Sequence, residues 1–289
     1  MITFRPDRPE EKKPENADCL TVRDFGREWS SFDQLLLSDA EALDLFGRYF
    51  EIFPWNKLSA SSVGFDLGCG SGRWALRVAP RVGHLHCIDA SEVALAVAKK
   101  NLKAVSNCSF AVASVENMPI QDNSMDFGYS LGVLHHVPDT AGGLLSCVSK
   151  LKKGAPFLVY LYYAFDNRPV WFQSIWRVSD VVRRLISRLP YTLKYCLCGA
   201  IATFVYFPTA RVARLIELAG ANVDVFPLSS YRNRSFYTMR TDALDRFGTR
   251  LEQRFTKRQI VMMMEAAGLV RICFSDNGPY WCAVGYKDL

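Results

Sequence analysis

The chain has 289 residues, of which 49% are hydrophobic and 22% are charged, and its formal net charge is +6. This composition excludes an intrinsically disordered chain, a collagen-like repeat and a polytopic membrane protein. The positive charge is also far below that of a dedicated nucleic-acid-binding surface. The sequence therefore predicts a globular protein with a sizeable apolar core.

The N-terminal residues and the cysteines bear on location and metal content. Residues 1–18 combine charges with three prolines and precede no apolar segment of a signal peptide, so we expect a flexible tail on a cytoplasmic protein. Nine cysteines lie scattered in apolar segments, an odd number that does not fit a disulfide framework. Because no Cys-x2-Cys pair and only four histidines occur, we expect no bound metal.

Short strands alternate with helices between residues 63 and 162, which is the pattern of an α/β protein. The predicted strands are Val63–Leu67, His84–Asp89, Ser109–Val112, Met125–Ser130 and Pro156–Tyr162. The predicted helices between them are Arg73–Ala79, Ser91–Val105 and Ala141–Lys150.

The alternation ends after the fifth strand. Later helices are predicted at Ser174–Ser187, at Ala210–Leu218 and between the N-cap Thr256 and Gly268, and closing strands at Val270–Ser275 and Trp281–Tyr286. Because pieces of one sheet bracket residues 163–248, this insertion is predicted to cap the core rather than to form a separate domain.

The run Tyr195–Ala210 contains no charged side chain. Its 16 residues are too few to span a bilayer, so we predict no membrane span. We expect a buried helix of the cap. The alternative is an amphipathic surface patch for a lipid-like substrate, which allows peripheral contact with a membrane.

The first predicted strand leads into a glycine-rich loop. Gly68, Gly70 and Gly72 permit a tight turn and a close approach of the backbone to a ligand. Their G-x-G-x-G spacing differs from the G-x-G-x-x-G of pyrophosphate binders, so the ligand need not carry phosphates. Asp66, at the end of the first strand, is placed to accept from an ammonium group. Asp89, at the end of the second, is placed to bind both ribose hydroxyls of a nucleoside.

Four motifs follow each other in this part of the chain: D-L-G-C-G-S-G, I-D-A-S, S-V-E-N-M-P and S-M-D-F…L-G-V-L-H-H-V-P-D. Together they resemble the class I S-adenosylmethionine-dependent methyltransferases over residues 60–162. The ending, with E-A-A-G-L and W-C-A-V-G-Y-K, resembles the same superfamily. The resemblance implies a Rossmann-like seven-stranded sheet, mostly parallel with one antiparallel strand near its edge, with helices on both faces and a helical cap inserted after strand five.

The resemblance also implies a domain organisation. It predicts a flexible tail over 1–18, an N-terminal helical lid over 19–60, a cofactor-binding methyltransferase core over 61–162, a substrate cap over 163–248 and a C-terminal completion of the core over 249–289. The segment Phe25–Trp29 resembles the F-G-x-x-W segment of related bacterial methyltransferases, which makes Trp29 a lid residue.

The cofactor implied is S-adenosylmethionine, with S-adenosylhomocysteine as product, and each motif implies a contact. The three glycines would lie under the methionine part, Asp66 near its amino group, Asp89 at the ribose and Ala90 beside the adenine. Ser114 and Val115 occupy the adenine-edge position, where the family often has an aspartate. Leu131 would line the sulfonium pocket.

The chemistry then needs alignment and removal of a proton from the acceptor, because the sulfonium already activates the methyl group. His136, with His135 as a substitute, is the candidate base, since histidine titrates near neutrality and follows the fourth strand. The alternative is that both histidines only cap the next helix and pack the loop.

The acceptor is expected to be a small molecule. The sequence lacks the N/D-P-P-Y motif of enzymes that methylate amino groups of nucleic-acid bases, so we expect no nucleic acid as partner. The candidate substrate residues are Trp29, Tyr162, Arg232, Tyr237 and Arg240, because arginines bind phosphate or carboxylate and aromatic rings stack on sugars.

Three functions are compatible with these residues. The first is methylation of a hydroxyl oxygen on a small metabolite, such as a sugar or a cell-surface or secondary-metabolite intermediate. The second is methylation of a quinone-like or lipid-linked acceptor. The third is a cofactor-binding regulator without catalysis.

Overall fold

The computed structural model describes residues 16–289, which form a seven-stranded sheet with helices on both faces. The strands are β1 Val63–Leu67, β2 His84–Asp89, β3 Cys108–Val112, β4 Phe127–Leu131, β5 Pro156–Tyr160, β6 Leu269–Phe274 and β7 Cys282–Lys287. Their order is β3-β2-β1-β4-β5-β7-β6, and β7 runs antiparallel to both of its neighbours. The predicted fold is confirmed, with strand ends displaced by at most two residues.

Ten α-helices connect and cover the strands of the described part. They are α1 Cys19–Ser31, α2 Asp39–Tyr49, α3 Ala75–Val78, α4 Glu92–Asn101, α5 Thr140–Lys150, α6 Val170–Ile186, α7 Tyr191–Ile201, α8 Phe207–Leu218, α9 Phe236–Gly248 and α10 Lys257–Ala266. Side-chain caps start several of them: Ser91 accepts from the Ala94 N–H, and Thr256 and Gln259 form a capping box. The predicted start at Thr256 is therefore confirmed.

Two apolar layers hold the sheet, one on each face. Phe65, Leu144 and Phe157 belong to the layer shared with α5 and α10, and Leu95 and Phe127 to the opposite layer. Strands covered on both faces bury nearly every side chain, which explains why every residue of β4 is buried and why β5 reads as an apolar run.

The insertion is entirely helical and has an apolar core of its own. We call residues 163–248, with α6 to α9, the cap. Phe32, just after α1, packs into the cap core beside Met239 and Phe247 of α9. The N-terminal helix α1 and the cap are thus joined by buried contacts, and within the cap α9 contacts α1, α6 and α7.

The expectation of a buried helix over Tyr195–Ala210 is corrected. Helix α7 continues through a π-helical turn into α8, and only one face of this long helix is buried. The buried face packs small side chains such as Ala202 and Ala210 against α9, whereas Leu197 and Phe204 on the other face are exposed. Residues 1–15 of the expected tail lie outside the described residues. Asn16 is anchored, since its side-chain amide exchanges two hydrogen bonds with the backbone of Asp139.

Candidate cofactor and acceptor site

The loop after β1 has a backbone that only glycine adopts without strain. Gly68, Gly70 and Gly72 have φ values of +74°, +54° and +77°. A Cβ on Gly68 would lie 2.3 Å from the side chain of Val133, and one on Gly70 would lie 2.9 Å from the Trp29 ring. The three glycines therefore allow the loop to fold tightly between the lid helix α1 and the residues after β4.

Asp89 ends β2 with its carboxylate fixed by the backbone. One oxygen accepts from the Gly70 N–H at 2.9 Å and the other from the Ser91 N–H at 2.8 Å. Burial raises the pKa of Asp89, while these two hydrogen bonds lower it. Each carboxylate oxygen keeps a further lone pair, so the group can still accept from two neighbouring hydroxyls.

A cavity of about 110 Å³ opens beside this carboxylate, between α1 and the carboxyl ends of the strands. The predicted residues that line it are Trp29, Gly68, Asp89, Ala90, Ser114, Val115, Leu131 and His136. Residues that the sequence analysis missed also line it, among them Asn16, Asp18, Thr21, Phe25 and Val133. Most of these missed residues belong to the segment around α1, and the F-G-x-x-W resemblance was the signal that could have found them.

Asp66 lies beneath the glycine loop rather than in the cavity wall. It is fully buried and accepts a hydrogen bond from the hydroxyl of Tyr129 at 3.0 Å. Burial raises the pKa of Asp66 to about 8. Gly70 and Gly72 likewise shape the loop without lining the cavity.

The cavity fits a nucleoside-bearing sulfonium cofactor. Val115, Leu131 and Val137 provide apolar walls for a ring, and the Asp89 carboxylate provides acceptors for a ribose diol. Ser114 carries no charge, so the adenine edge would depend on neutral contacts there. The apolar walls and the carboxylate acceptors are thus compatible with the cofactor contacts that the motifs implied.

His136 lies where the cavity meets the cap. Its Nδ1 is 2.7 Å from the carbonyl oxygen of Leu251, and because a carbonyl only accepts, Nδ1 must carry the proton. The lone pair of Nε2 therefore stays free, and no described residue forms a hydrogen bond with it. Burial lowers the pKa of His136 to about 4, so the ring is neutral at pH 7.

His135 occupies a different environment. Its ring is fully buried and stacks on Tyr162 with 3.8 Å between the ring centroids. It does not line the cavity, and burial lowers its pKa well below the usual value. The structure thus places His136, but not His135, in the wall of the cavity.

A carboxylate of the cap faces His136, and two further acids lie near that carboxylate. Oδ1 of Asp245 lies 3.8 Å from His136 Nε2, and its other oxygen accepts from the Tyr162 hydroxyl. Burial raises the pKa of Asp245 to about 6, and the same holds for Asp242, one turn earlier on α9. Burial and these two charges also raise the pKa of Glu28 on α1.

The sequence analysis missed these acids. Their signal was present, because Asp242 and Asp245 are spaced i, i+3 on one face of a helix whose other positions are mostly apolar. A positive charge also acts on these acids, because Arg73 lowers the pKa of both aspartates and so partly offsets the effect of burial.

The arginine cluster predicted for substrate has structural partners instead. Arg232 pairs with Glu217 at 2.6 Å, and Arg240 donates to the Tyr195 hydroxyl at 2.7 Å. The hydroxyl of Tyr237 accepts from the backbone N–H of Gln34 at 2.9 Å. None of the three lines the cavity, because each is held against other helices or the loop after α1. Of the predicted substrate residues, Trp29 lines the cavity, and Tyr162 contacts His136 and Asp245.

The comparisons with known proteins agree with this geometry. Residues 65–159 match the family model described as a methyltransferase domain. Phosphoethanolamine N-methyltransferase 2 of Caenorhabditis elegans is 32% identical over 125 residues, which cover 42% of this chain and 27% of that protein. 2-Phytyl-1,4-naphtoquinone methyltransferase of Trichormus variabilis is 29% identical over 150 residues, covering 49% of this chain and 64% of that protein.

A solved structure of a methyltransferase from Thermotoga maritima shares the fold. It has a TM-score of 0.50 at 14% identity, and the match covers 93% of this chain and all of that one. The chain spans less than two thirds of the two curated relatives. The sheet order and the match of residues 65–159 together show the class I methyltransferase fold and a methyltransferase domain in this part of the chain, and the cavity lies at the carboxyl ends of its strands.

Proposed function

We propose that this protein transfers the methyl group of S-adenosylmethionine to a hydroxyl oxygen of a small acceptor. One observation carries the proposal: a neutral histidine, His136, presents the free lone pair of Nε2 at the boundary between the cofactor cavity and the cap. A hydroxyl acceptor needs such a base, because its oxygen must lose a proton as it gains the methyl group.

The residues of the core would bind and orient the cofactor. Asp89 would accept from the ribose hydroxyls, and Val115 and Leu131 would pack on its apolar parts. When bound, the cofactor supplies an activated methyl group on a sulfonium. Phe25 and Trp29 of α1 line the cavity and would cover the bound cofactor.

The proton would move to His136. As the carbon–oxygen bond forms and the carbon–sulfur bond breaks, Nε2 takes the hydroxyl proton and S-adenosylhomocysteine remains. The hydrogen bond from Nδ1 to Leu251 fixes the ring, and the Asp245 carboxylate at 3.8 Å stabilises the imidazolium. Asp245 has this effect only when ionised, which requires a pH above about 6.

A transfer experiment with identified products tests the proposal. The protein is incubated with methyl-labelled S-adenosylmethionine and a fractionated pool of small metabolites, and the products are analysed by mass spectrometry. We expect the label in a methyl ether. Asp89→Ala serves as the weak-binding control. A label found only on nitrogen would overturn the hydroxyl assignment, and absence of transfer from every fraction would favour a regulator without catalysis.

A quinone-like or lipid-linked acceptor is the second candidate. The outer surface of the cap exposes large apolar side chains such as Val178, Leu185 and Phe204, which a water-soluble sugar would not require. Curated relatives named for naphtoquinone and ubiquinone biosynthesis support it. The chemistry at His136 would be the same if the acceptor atom is a hydroxyl.

A further inference from the structure

Helix α6 exposes its apolar face and buries charge. Val178 is 68% exposed and Leu185 is 65% exposed, whereas Asp180 and Arg183 are buried as an ion pair at 2.7 Å. A helix that packs normally on a globular core shows the opposite pattern. The side of α6 that faces away from the protein is therefore apolar.

The exposed apolar positions form a continuous stripe along the helix. They recur every three or four residues, at Trp171, Ile175, Val178, Val182 and Leu185. The exposed Arg177, Arg184 and Arg188 border one edge of this stripe. An apolar stripe bordered by arginines is typical of a helix that lies in the interface of a membrane.

The following helix extends the apolar surface. Residues Tyr191–Leu218 form a helix that is long and apolar enough to cross a membrane by length and composition, but one of its faces packs on α9 in the cap core. On the other face, Phe204 and Leu218 are more than 70% exposed. Since α6 also packs on α9, both apolar faces point away from the same buried helix.

Charge indicates what covers this surface. Residues 170–218, which contain α6, α7 and α8, include seven lysines and arginines and two acidic residues, which is a net charge of +5. Of these, Arg177, Arg184, Arg188 and Arg214 are exposed, whereas the acidic Asp180 is buried. Two copies of the cap placed face to face would repel each other, whereas an anionic lipid surface is complementary to it.

We propose that the outer face of the cap, formed by the exposed residues of α6, α7 and α8, binds the headgroup region of an anionic bilayer. The apolar stripes enter the boundary between headgroups and acyl chains, and the bordering arginines contact lipid phosphates. The cap lies on the membrane and does not cross it, because the opposite faces of its helices are packed in the protein. This binding does not depend on the reaction proposed above.

Vesicle co-sedimentation tests this surface with the full chain. Phosphatidylcholine vesicles with and without phosphatidylglycerol are compared, for the unaltered protein and for a double variant Val178→Asp with Leu185→Asp. Both side chains are already exposed, so the variant should fold, which its unchanged affinity for S-adenosylhomocysteine would verify. We expect binding to phosphatidylglycerol vesicles that salt weakens, and a loss on the order of 100-fold in the double variant.

Matched controls separate the cap from apolar exposure elsewhere. Leu36→Asp and Leu145→Asp change exposed leucines outside the cap and should leave vesicle binding unchanged. The proposal is overturned if the unaltered protein does not bind vesicles, or if the double variant binds as well as the unaltered protein. A protein that binds no vesicles but dimerises through Val178 and Leu185 in sedimentation velocity would show that a second copy covers this face.

Discussion

Helices α4 and α6 have similar shares of apolar residues but opposite packing. In α4, which packs on the sheet, Leu95 is buried and the lysines are exposed. In α6, on the outside of the cap, Asp180 and Arg183 are buried while Val178 and Leu185 are exposed. The core is stable through burial within the chain, whereas the cap keeps apolar surface for a partner outside it. Hydrophobic periodicity finds both helices, but it predicts which face is buried only for the core.

The largest difference is expected in stability. Leu158 is fully buried in β5. Leu158→Ala should lower the free energy of unfolding by about 2–5 kcal/mol, because the lost side chain leaves a cavity. Leu185→Ala, of the same chemistry on the exposed face of α6, should change it by less than about 0.5 kcal/mol. Denaturant titrations of both variants provide the measurement. Equal losses would mean that Leu185 is buried and that the comparison fails.

The carboxylate of the cavity gives the next effect. Asp89→Ala should weaken S-adenosylhomocysteine binding by about 10- to 100-fold, since it removes an acceptor for the ribose hydroxyls and the partner of the Gly70 N–H. Isothermal titration calorimetry measures it, with the exposed Asp122→Ala as the control. Unchanged affinity in Asp89→Ala would remove Asp89 from the cofactor site.

The glycine loop should respond somewhat less. Gly68→Ala places a methyl group against Val133 in a left-handed backbone, and this strain of about 1–2 kcal/mol should lower S-adenosylhomocysteine affinity roughly 10-fold. Gly154→Ala is matched, because Gly154 has a similar φ with no atom in the way and lies away from the cavity. If the two variants bind the ligand equally well, the loop does not depend on Gly68.

The smallest effect concerns pH at the boundary of core and cap. Burial raises the pKa of Asp245 to about 6, so its stabilising charge is present above that pH and disappears below it. The kcat of the unaltered protein should therefore fall as the pH drops through about 6. Asp245→Asn should be slower at pH 7 and keep its rate down to about pH 4, where His136 itself becomes protonated. If the kcat of Asp245→Asn still falls as the pH drops through about 6, the titration near pH 6 belongs to a group other than Asp245.

That expectation revises what the sequence alone predicts for pH. An ordinary imidazole would lose activity below about pH 6.5. Burial of His136 moves its own titration lower, and the nearby acids become the groups that titrate close to neutrality. The charge of Glu252 also acts on His136, and Glu28 and Asp242 interact with Asp245. Burial of this kind arises from the assembled lid and cap and cannot be read from the motif.

The sequence predicted the parts of the site that local backbone chemistry determines. Gly68, Asp89 and Leu131 lie at strand ends, where the alternation of strands and helices fixes their position. The prediction that Arg232 and Arg240 bind substrate was wrong for a physical reason. Their partners, Glu217 and Tyr195, lie on other helices, and pairs so far apart in the chain cannot be recognised from the sequence.

The buried acids were missed for the opposite reason. Charged residues on a helix are normally read as its solvated face, but Asp245 lies 3.8 Å from His136, and burial raises the pKa of both Asp242 and Asp245. In α6 the ion pair of Asp180 with Arg183 is buried while Val178 and Leu185 are exposed, which inverts the usual rule for this helix. This inversion becomes visible only when α6 is placed against α9.

The proposed role of His136 as the base that removes the acceptor's proton is measured by comparing His136→Ala with the unaltered protein. The two quantities compared are kcat and the affinity for the cofactor product. A general base contributes about 10²–10⁴-fold, so kcat should fall by that factor while calorimetry gives nearly unchanged affinity for S-adenosylhomocysteine. His136→Asn should not restore the rate, since an amide cannot accept the proton. A folded His136→Ala protein with near-normal kcat would contradict the account and leave alignment alone as the source of catalysis.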